Sequence, residues 1–187
     1  MNDSTKGLIF RLRGLIPLPV LFVIILWSRP TGASLLAGAI VVLAGELIRF
    51  WGAGYIKKYR VASVQADRLV TAGPYAHVRN PLYWGNFLIG LGFSVMSSWF
   101  LSYVLFFGMY LYFYGIIIPL EEEFLERTFG AEFERYKHAV PRILPALKRY
   151  AQAEGDYDWR VALSGESNTI LQLAVIGLLF VLKFYLG

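Results

Sequence analysis

The chain has 187 residues, of which 57% are hydrophobic, 17% aromatic and only 17% charged, with a formal net charge of +5. So few charges cannot cover so apolar a mass in water, which makes a lipid bilayer the expected solvent. The absence of cysteine excludes disulfides, thiolate nucleophiles and cysteine-ligated metals, and two histidines, His77 and His138, leave too few for a histidine-based metal site.

Five apolar runs approach the length of about 20 residues that a membrane span requires. The first covers about 8–28 and ends at Arg29-Pro30; a secretory leader is the weaker reading, because no small-residue cleavage site follows it. The second covers about 33–55, and in it Gly38, Gly45 and Gly52 recur every seven residues, a small-residue stripe suited to close helix packing. The third and fourth, about 82–98 and 100–120, form a hairpin joined by Ser97-Ser98-Trp99, and the fifth covers about 169–186. The expected fold is therefore an all-α integral membrane protein of five transmembrane helices in one domain.

Fifteen of the eighteen Lys and Arg residues precede or open the first span, or fall between the second and third or between the fourth and fifth. The positive-inside rule puts these stretches and the N-terminus in the cytoplasm, and the C-terminus on the opposite side. The positive charge is thus topological, and a nucleic-acid partner is not expected. Segments 56–81 and 121–167 are the only ones polar enough to hold a hydrophilic ligand. The second reads as helical over 121–138, with Leu125, Phe129, Phe133 and Tyr136 on one face and Pro141 and Pro145 stopping it.

Three features carry chemistry. Glu46 and Arg49, three apart in the second span, read either as a self-neutralising pair that pins helix packing or as the polar wall of a cavity. Segment 71–85 holds a Gly73-Pro74 turn and opens the third span at Asn80-Pro81. Amides at such a helix start, with Arg79 beside them, suit a carboxylate or phosphate, while Tyr75 and Tyr83 offer flat faces for a ring. Glu121-Glu122-Glu123 follow the fourth span, where they form either a solvated helix start or a site for a cation or ribose hydroxyls. The hairpin makes Asn80–Tyr83 and Glu121–Glu122 neighbours.

Gly73-Pro74-Tyr75-Ala-His77-Val78-Arg79-Asn80-Pro81-Leu-Tyr83-Trp-Gly85 resembles the GPY-x-x-x-RHP-x-Y-x-G motif of the isoprenylcysteine carboxyl methyltransferase and phospholipid methyltransferase superfamily. The stretch from Glu121-Glu122 through Phe129-Gly130, Phe133 and Tyr136 to Val140-Pro141-Arg142 and Pro145 resembles its C-terminal signature. Together they cover about 67–147, the expected catalytic core. Asn80 stands where the family has histidine, and Phe133 where it has tyrosine; asparagine hydrogen-bonds but does not titrate, so no proton transfer is expected there.

The resemblance implies S-adenosylmethionine as cofactor, held at the cytoplasmic face by the 56–81 loop and the 121–150 helix and tail, with a lipid or prenylated acceptor arriving from the bilayer. It implies a cofactor-binding set of Tyr75, His77, Val78, Arg79, Asn80, Pro81, Tyr83, Gly85, Glu121, Glu122 and Tyr136. Arg79 and Asn80 suit the amino-acid carboxylate, Glu121 and Glu122 the ammonium or ribose, and Tyr83 or Tyr136 the adenine. No glycine-rich Rossmann turn is present. Arg142 is the candidate for aiming a carboxylate nucleophile, whereas an amine acceptor would need Glu122 or His77 as base, and the sequence leaves O- and N-methylation open. Met109, Tyr110, Tyr112, Phe113 and Tyr114 read equally as an acyl-chain slot or as bundle core. The competing expectations are a nicotinamide-dependent reductase of sterol-like substrates and a non-catalytic membrane bundle.

Overall fold

The computed structural model describes residues 17–56 and 68–187, and every regular element among them is helical. Helix α1 is Pro17–Trp27, α2 Gly32–Ala53, α3 Pro81–Ser97, α4 Phe100–Phe129, α5 Ala131–Ala139 and α6 Trp159–Leu186, with one 3₁₀ turn at Gly73–Ala76. The start of the first expected span and much of the 56–81 loop lie outside the described residues. Three helices, α2, α4 and α6, are long and apolar enough to cross a membrane; α3 has 17 residues and α1 shows 11.

Helix α2 starts at a capping box, in which the Ser34 amide donates to Thr31 Oγ1 (3.1 Å) and the Thr31 amide to Ser34 Oγ (2.9 Å). The Arg29 amide donates to Ser97 O (2.8 Å), which ties the α1–α2 turn to the α3–α4 turn at one end of the bundle. Ile24, Ile89, Phe93, Met96 and Phe180 form the core shared by α1, α3 and α6.

The glycine stripe of α2 packs on α3. A Cβ on Gly45 would lie 2.7 Å from the Gly85 carbonyl oxygen, and one on Gly92 would lie 2.8 Å from that of Gly38. Glycines on both helices thus let the backbones touch, the packing available where lipid gives no hydrophobic drive between helices. On the other side of α2, Leu36, Ile40, Leu43 and Leu47 are each about 60% exposed, a continuous apolar face fit for hydrocarbon.

Two boundaries differ from the sequence reading. The α4 helix does not stop at Leu120 but runs through Pro119 to Phe129, so Glu121–Glu123 lie inside it and not at a helix start. It breaks at Gly130, whose φ of +50° and ψ of −122° disfavour side-chain-bearing residues. The expected 121–138 helix is therefore two pieces. Its apolar side chains still converge: Phe133, Tyr136, Val140 and Leu69 form a second core against Leu125, Phe129 and Tyr150. Helix α6 begins ten residues before the expected span, where the Arg160 amide donates to Asp158 at the N-cap (2.9 Å).

Residues 140–158 form an irregular strap against segment 71–79. The Arg79 amide donates to Pro141 O (2.9 Å), Ala146 N to His77 O (2.8 Å), Tyr150 N to Ala76 O (2.9 Å) and Thr71 N to Glu154 O (3.2 Å). The strap's backbone groups are satisfied without regular structure.

Candidate active site

Arg79 leaves the irregular residues between the 3₁₀ turn and α3 and reaches α4, where its Nε donates to Glu122 Oε1 (3.0 Å). Its Nη1 donates to the carbonyls of Lys137 (2.8 Å) and Val140 at the end of α5. Arg142, on the strap, donates to the other oxygen of the same carboxylate from Nε (3.0 Å) and Nη2 (2.5 Å). One carboxylate thus joins two guanidinium groups from distant parts of the chain. The Arg79 and Glu122 side chains are 9% and 6% exposed, whereas Arg142 is 46% exposed, so Arg142 is the member of the trio that faces outward.

Asn80 occupies the N-cap position of α3 without capping it; its Nδ2 donates instead to Arg142 O (3.0 Å) and holds the strap over the helix start. Tyr136 is buried, and its hydroxyl donates to Tyr75 O (2.7 Å). Burial pushes that hydroxyl well above its ordinary pKa, so it stays a donor. Glu121 is half-buried beside Glu122, while Glu123 pairs with Arg127 on the outer side of α4.

Residues 74–81, which carry Arg79 and Asn80, also line an apolar groove. The groove holds about 250 Å³ and is lined by Trp51, His77, Val78, Pro81, Trp84 and Leu147 among others. The Nδ1 of His77 lies 2.9 Å from Ala146 O; a carbonyl only accepts, so Nδ1 carries the hydrogen of that bond. Tyr83 turns to α4, where its ring lies 4.6 Å from that of Tyr114, and Gly85 sits in the α2–α3 crossing.

The structure therefore brings Arg79, Asn80, Glu122 and Arg142 to one point, with Tyr75 and Tyr136 behind it and His77, Val78 and Pro81 on the groove. Tyr83 and Gly85 belong to neighbouring helix contacts. Of the aromatic run in α4, Tyr110 and Phe113 are buried in the bundle and Tyr112 faces outward. The sequence missed a second polar cluster. Arg49 donates to Glu166 Oε2 on α6 (3.1 Å from Nε, 2.5 Å from Nη2) and to Asn86 Oδ1 on α3 (2.6 Å). Glu46, the partner nearest in sequence, stays 3.6 Å from Arg49, and its oxygens accept no hydrogen bond. Only the pairing signal within α2 was visible in advance. Among the described residues, no group of three His, Cys, Asp or Glu could hold a metal ion.

Residues 33–132, more than half of the chain, match the phospholipid methyltransferase family, and the chain belongs to that family. It is 33% identical over 116 residues to a probable protein-S-isoprenylcysteine O-methyltransferase of Oryza sativa subsp. indica, covering 59% of this chain and 61% of the rice protein. It is 38% identical over 79 residues to the protein-S-isoprenylcysteine O-methyltransferase of Schizosaccharomyces pombe, covering 42% and 34% of the two chains. The cobalt-zinc-cadmium resistance protein CzcN of Cupriavidus metallidurans is 30% identical over 144 residues, covering 77% and 62%. The chain thus spans about 60% of the rice relative's length, and no solved structure matches it.

Proposed function

We propose that this protein transfers the methyl group of S-adenosylmethionine to a carboxylate on a lipophilic, membrane-borne acceptor of the isoprenylcysteine type. The observation that carries the reading is the Arg79–Glu122–Arg142 centre, in which both halves of the family signature meet beside an apolar groove. The donor set fits the cofactor: Asn80 and the amides at the start of α3 for its carboxylate, Glu121 and Glu122 for an ammonium or ribose, and Trp84 and Tyr83 as flat apolar surfaces. When bound, the cofactor supplies an electrophilic methyl group.

The chain's own task is positional. A carboxylate nucleophile needs no base, only removal of its water shell and alignment, and these account for most of what such an enzyme adds. Arg142 is exposed enough to meet an acceptor carboxylate while Glu122 fixes its guanidinium plane. The groove, flanked by Trp51 and Trp84 and continuous with the outer face of α2, receives the acceptor's hydrocarbon. In this reading α1 and α3 complete a five-span bundle, and the fifteen clustered cations support a site on the cytoplasmic side.

Detergent-purified protein should release heat on titration with S-adenosylhomocysteine and none with reduced nicotinamide nucleotide. Isotopically labelled cofactor should then label an S-prenylated cysteine in a form that mild base releases as methanol; a base-stable label on phosphatidylethanolamine would mark N-methylation. Heat from the nicotinamide nucleotide alone would shift the assignment to a reductase, and no heat from either would leave a non-catalytic bundle. Glu122→Gln keeps the shape of the centre but removes the charge that aims both arginines. It is expected to weaken S-adenosylhomocysteine binding by roughly a hundredfold, the order expected when one partner of a buried charge pair is lost; unchanged affinity would displace the site.

A further inference from the structure

Helix α6 lies outside the family-matched residues 33–132, yet it sends Glu166 into the bundle with its side chain only 4% exposed. An ionised group at that depth is costly unless it is held, and Glu166 is held by two donors of Arg49. Thr169 Oγ1 accepts a further bond from Arg49 (3.3 Å). The glycine stripe packs α2 on α3, so it is these polar residues that join α6 to that pair.

The cluster does have an outlet. Arg49 Nη1 donates to Asn86 Oδ1, which orients the amide so that Nδ2 points to α4 and donates to the Tyr114 hydroxyl oxygen (2.8 Å). The Tyr114 ring packs on that of Tyr83 at 4.6 Å and on that of Tyr110 at 4.4 Å. The Tyr110 hydroxyl in turn donates to Tyr83 O (3.0 Å). Tyr83 is the motif residue one helical turn after Asn80. A single line of contacts therefore runs from an acid on the last helix to Tyr83, one turn into α3 from Asn80.

We propose that Glu166 is a positioning residue for the cofactor site, acting through Arg49 and Asn86 to set the Tyr114–Tyr83 aromatic wall. The inference rests on the methyltransferase reading and extends the site to a helix that the family match does not include. Glu166→Ala frees Arg49, lets the Asn86 amide turn and loosens the tyrosine pair. Glu166→Gln retains an acceptor for Arg49 and preserves the line.

The test is S-adenosylhomocysteine affinity by calorimetry, with the thermal midpoint of each purified variant recorded beside it. Glu166→Ala is expected to lose about tenfold in affinity, and Glu166→Gln to stay within about twofold of wild type. The double variant Glu166→Ala/Asn86→Ala should be no weaker than Glu166→Ala alone, because both act on one path, whereas independent damage would multiply. If Glu166→Ala is not monodisperse, Tyr114→Phe, which removes one oxygen and keeps the ring, should show a loss of about threefold. Wild-type affinity in Glu166→Ala or in Tyr114→Phe, or multiplying losses in the double variant, would overturn the relay while leaving the methyltransferase reading intact. A wild-type protein that gives no heat would overturn both.

Discussion

Arg79→Ala should be among the most damaging single changes in the chain, lowering stability by about 3 kcal/mol, the scale for removing one partner of a buried ion pair. The loss has three parts. Glu122, 6% exposed, keeps only one of its two guanidinium partners; the Lys137 and Val140 carbonyls lose their shared donor; and Arg142 is left to hold the strap through Glu122 and Asn80. Thermal unfolding in detergent should register the drop. Limited proteolysis should show new cuts within 140–158, and cofactor-analogue binding should disappear with the strap's anchorage. Arg79→Lys should recover little, because an ammonium group cannot present the guanidinium's separated donors to a carboxylate and two carbonyls at once. A wild-type melting curve for Arg79→Ala would show that the arginine is spent on ligand binding alone.

Gly45→Val is the second large effect. Its Cβ would stand 2.7 Å from the Gly85 oxygen and 2.9 Å from the Ile89 amide nitrogen, and backbone atoms cannot swing aside as a side-chain tip can. The α2–α3 pair must separate, at about 3 kcal/mol, the upper range for overpacking. The same separation pulls Arg49 away from Asn86, so ligand affinity should fall with stability. Gly108→Ala and Gly177→Ala, which meet nothing within 4 Å, serve as controls and should melt at or slightly above the wild-type midpoint. Equal melting of Gly45→Val and these controls would contradict the close crossing.

Much of this was legible beforehand, for identifiable reasons. The seven-residue recurrence of Gly38, Gly45 and Gly52 matches two helical turns, so a close-packed face could be read directly. A hairpin with a two-residue turn after Ser97 forces the start of α3 and the far part of α4 together, which is why Asn80–Tyr83 and Glu121–Glu122 could be read as neighbours. Other features left no local trace. Periodicity at Leu125, Phe129, Phe133 and Tyr136 continues across Gly130, because a positive φ interrupts the backbone without disturbing the apolar spacing. The start of α6 was hidden because Ser164, Glu166, Ser167 and Asn168 are polar; Ser164, Ser167 and Asn168 face outward, and what makes the buried Glu166 tenable is Arg49, 117 residues earlier. Arg79 itself read as a cation for a ligand, yet the structure commits it first to Glu122 and the end of α5.

The strap also bears on the order in which the molecule is made. Everything needed for the glycine crossing and the α3–α4 hairpin has left the ribosome once Phe129 has emerged, whereas Arg142 and the hydrogen-bonding partners at 146, 150 and 154 follow later. A nascent chain can therefore settle its early helices in the translocon before Glu122 gains its second guanidinium. A stop codon just after Ala139 would yield an inserted polypeptide whose buried carboxylate has lost Arg142 and whose Arg79 has lost the Val140 carbonyl, a natural target for membrane quality-control proteases.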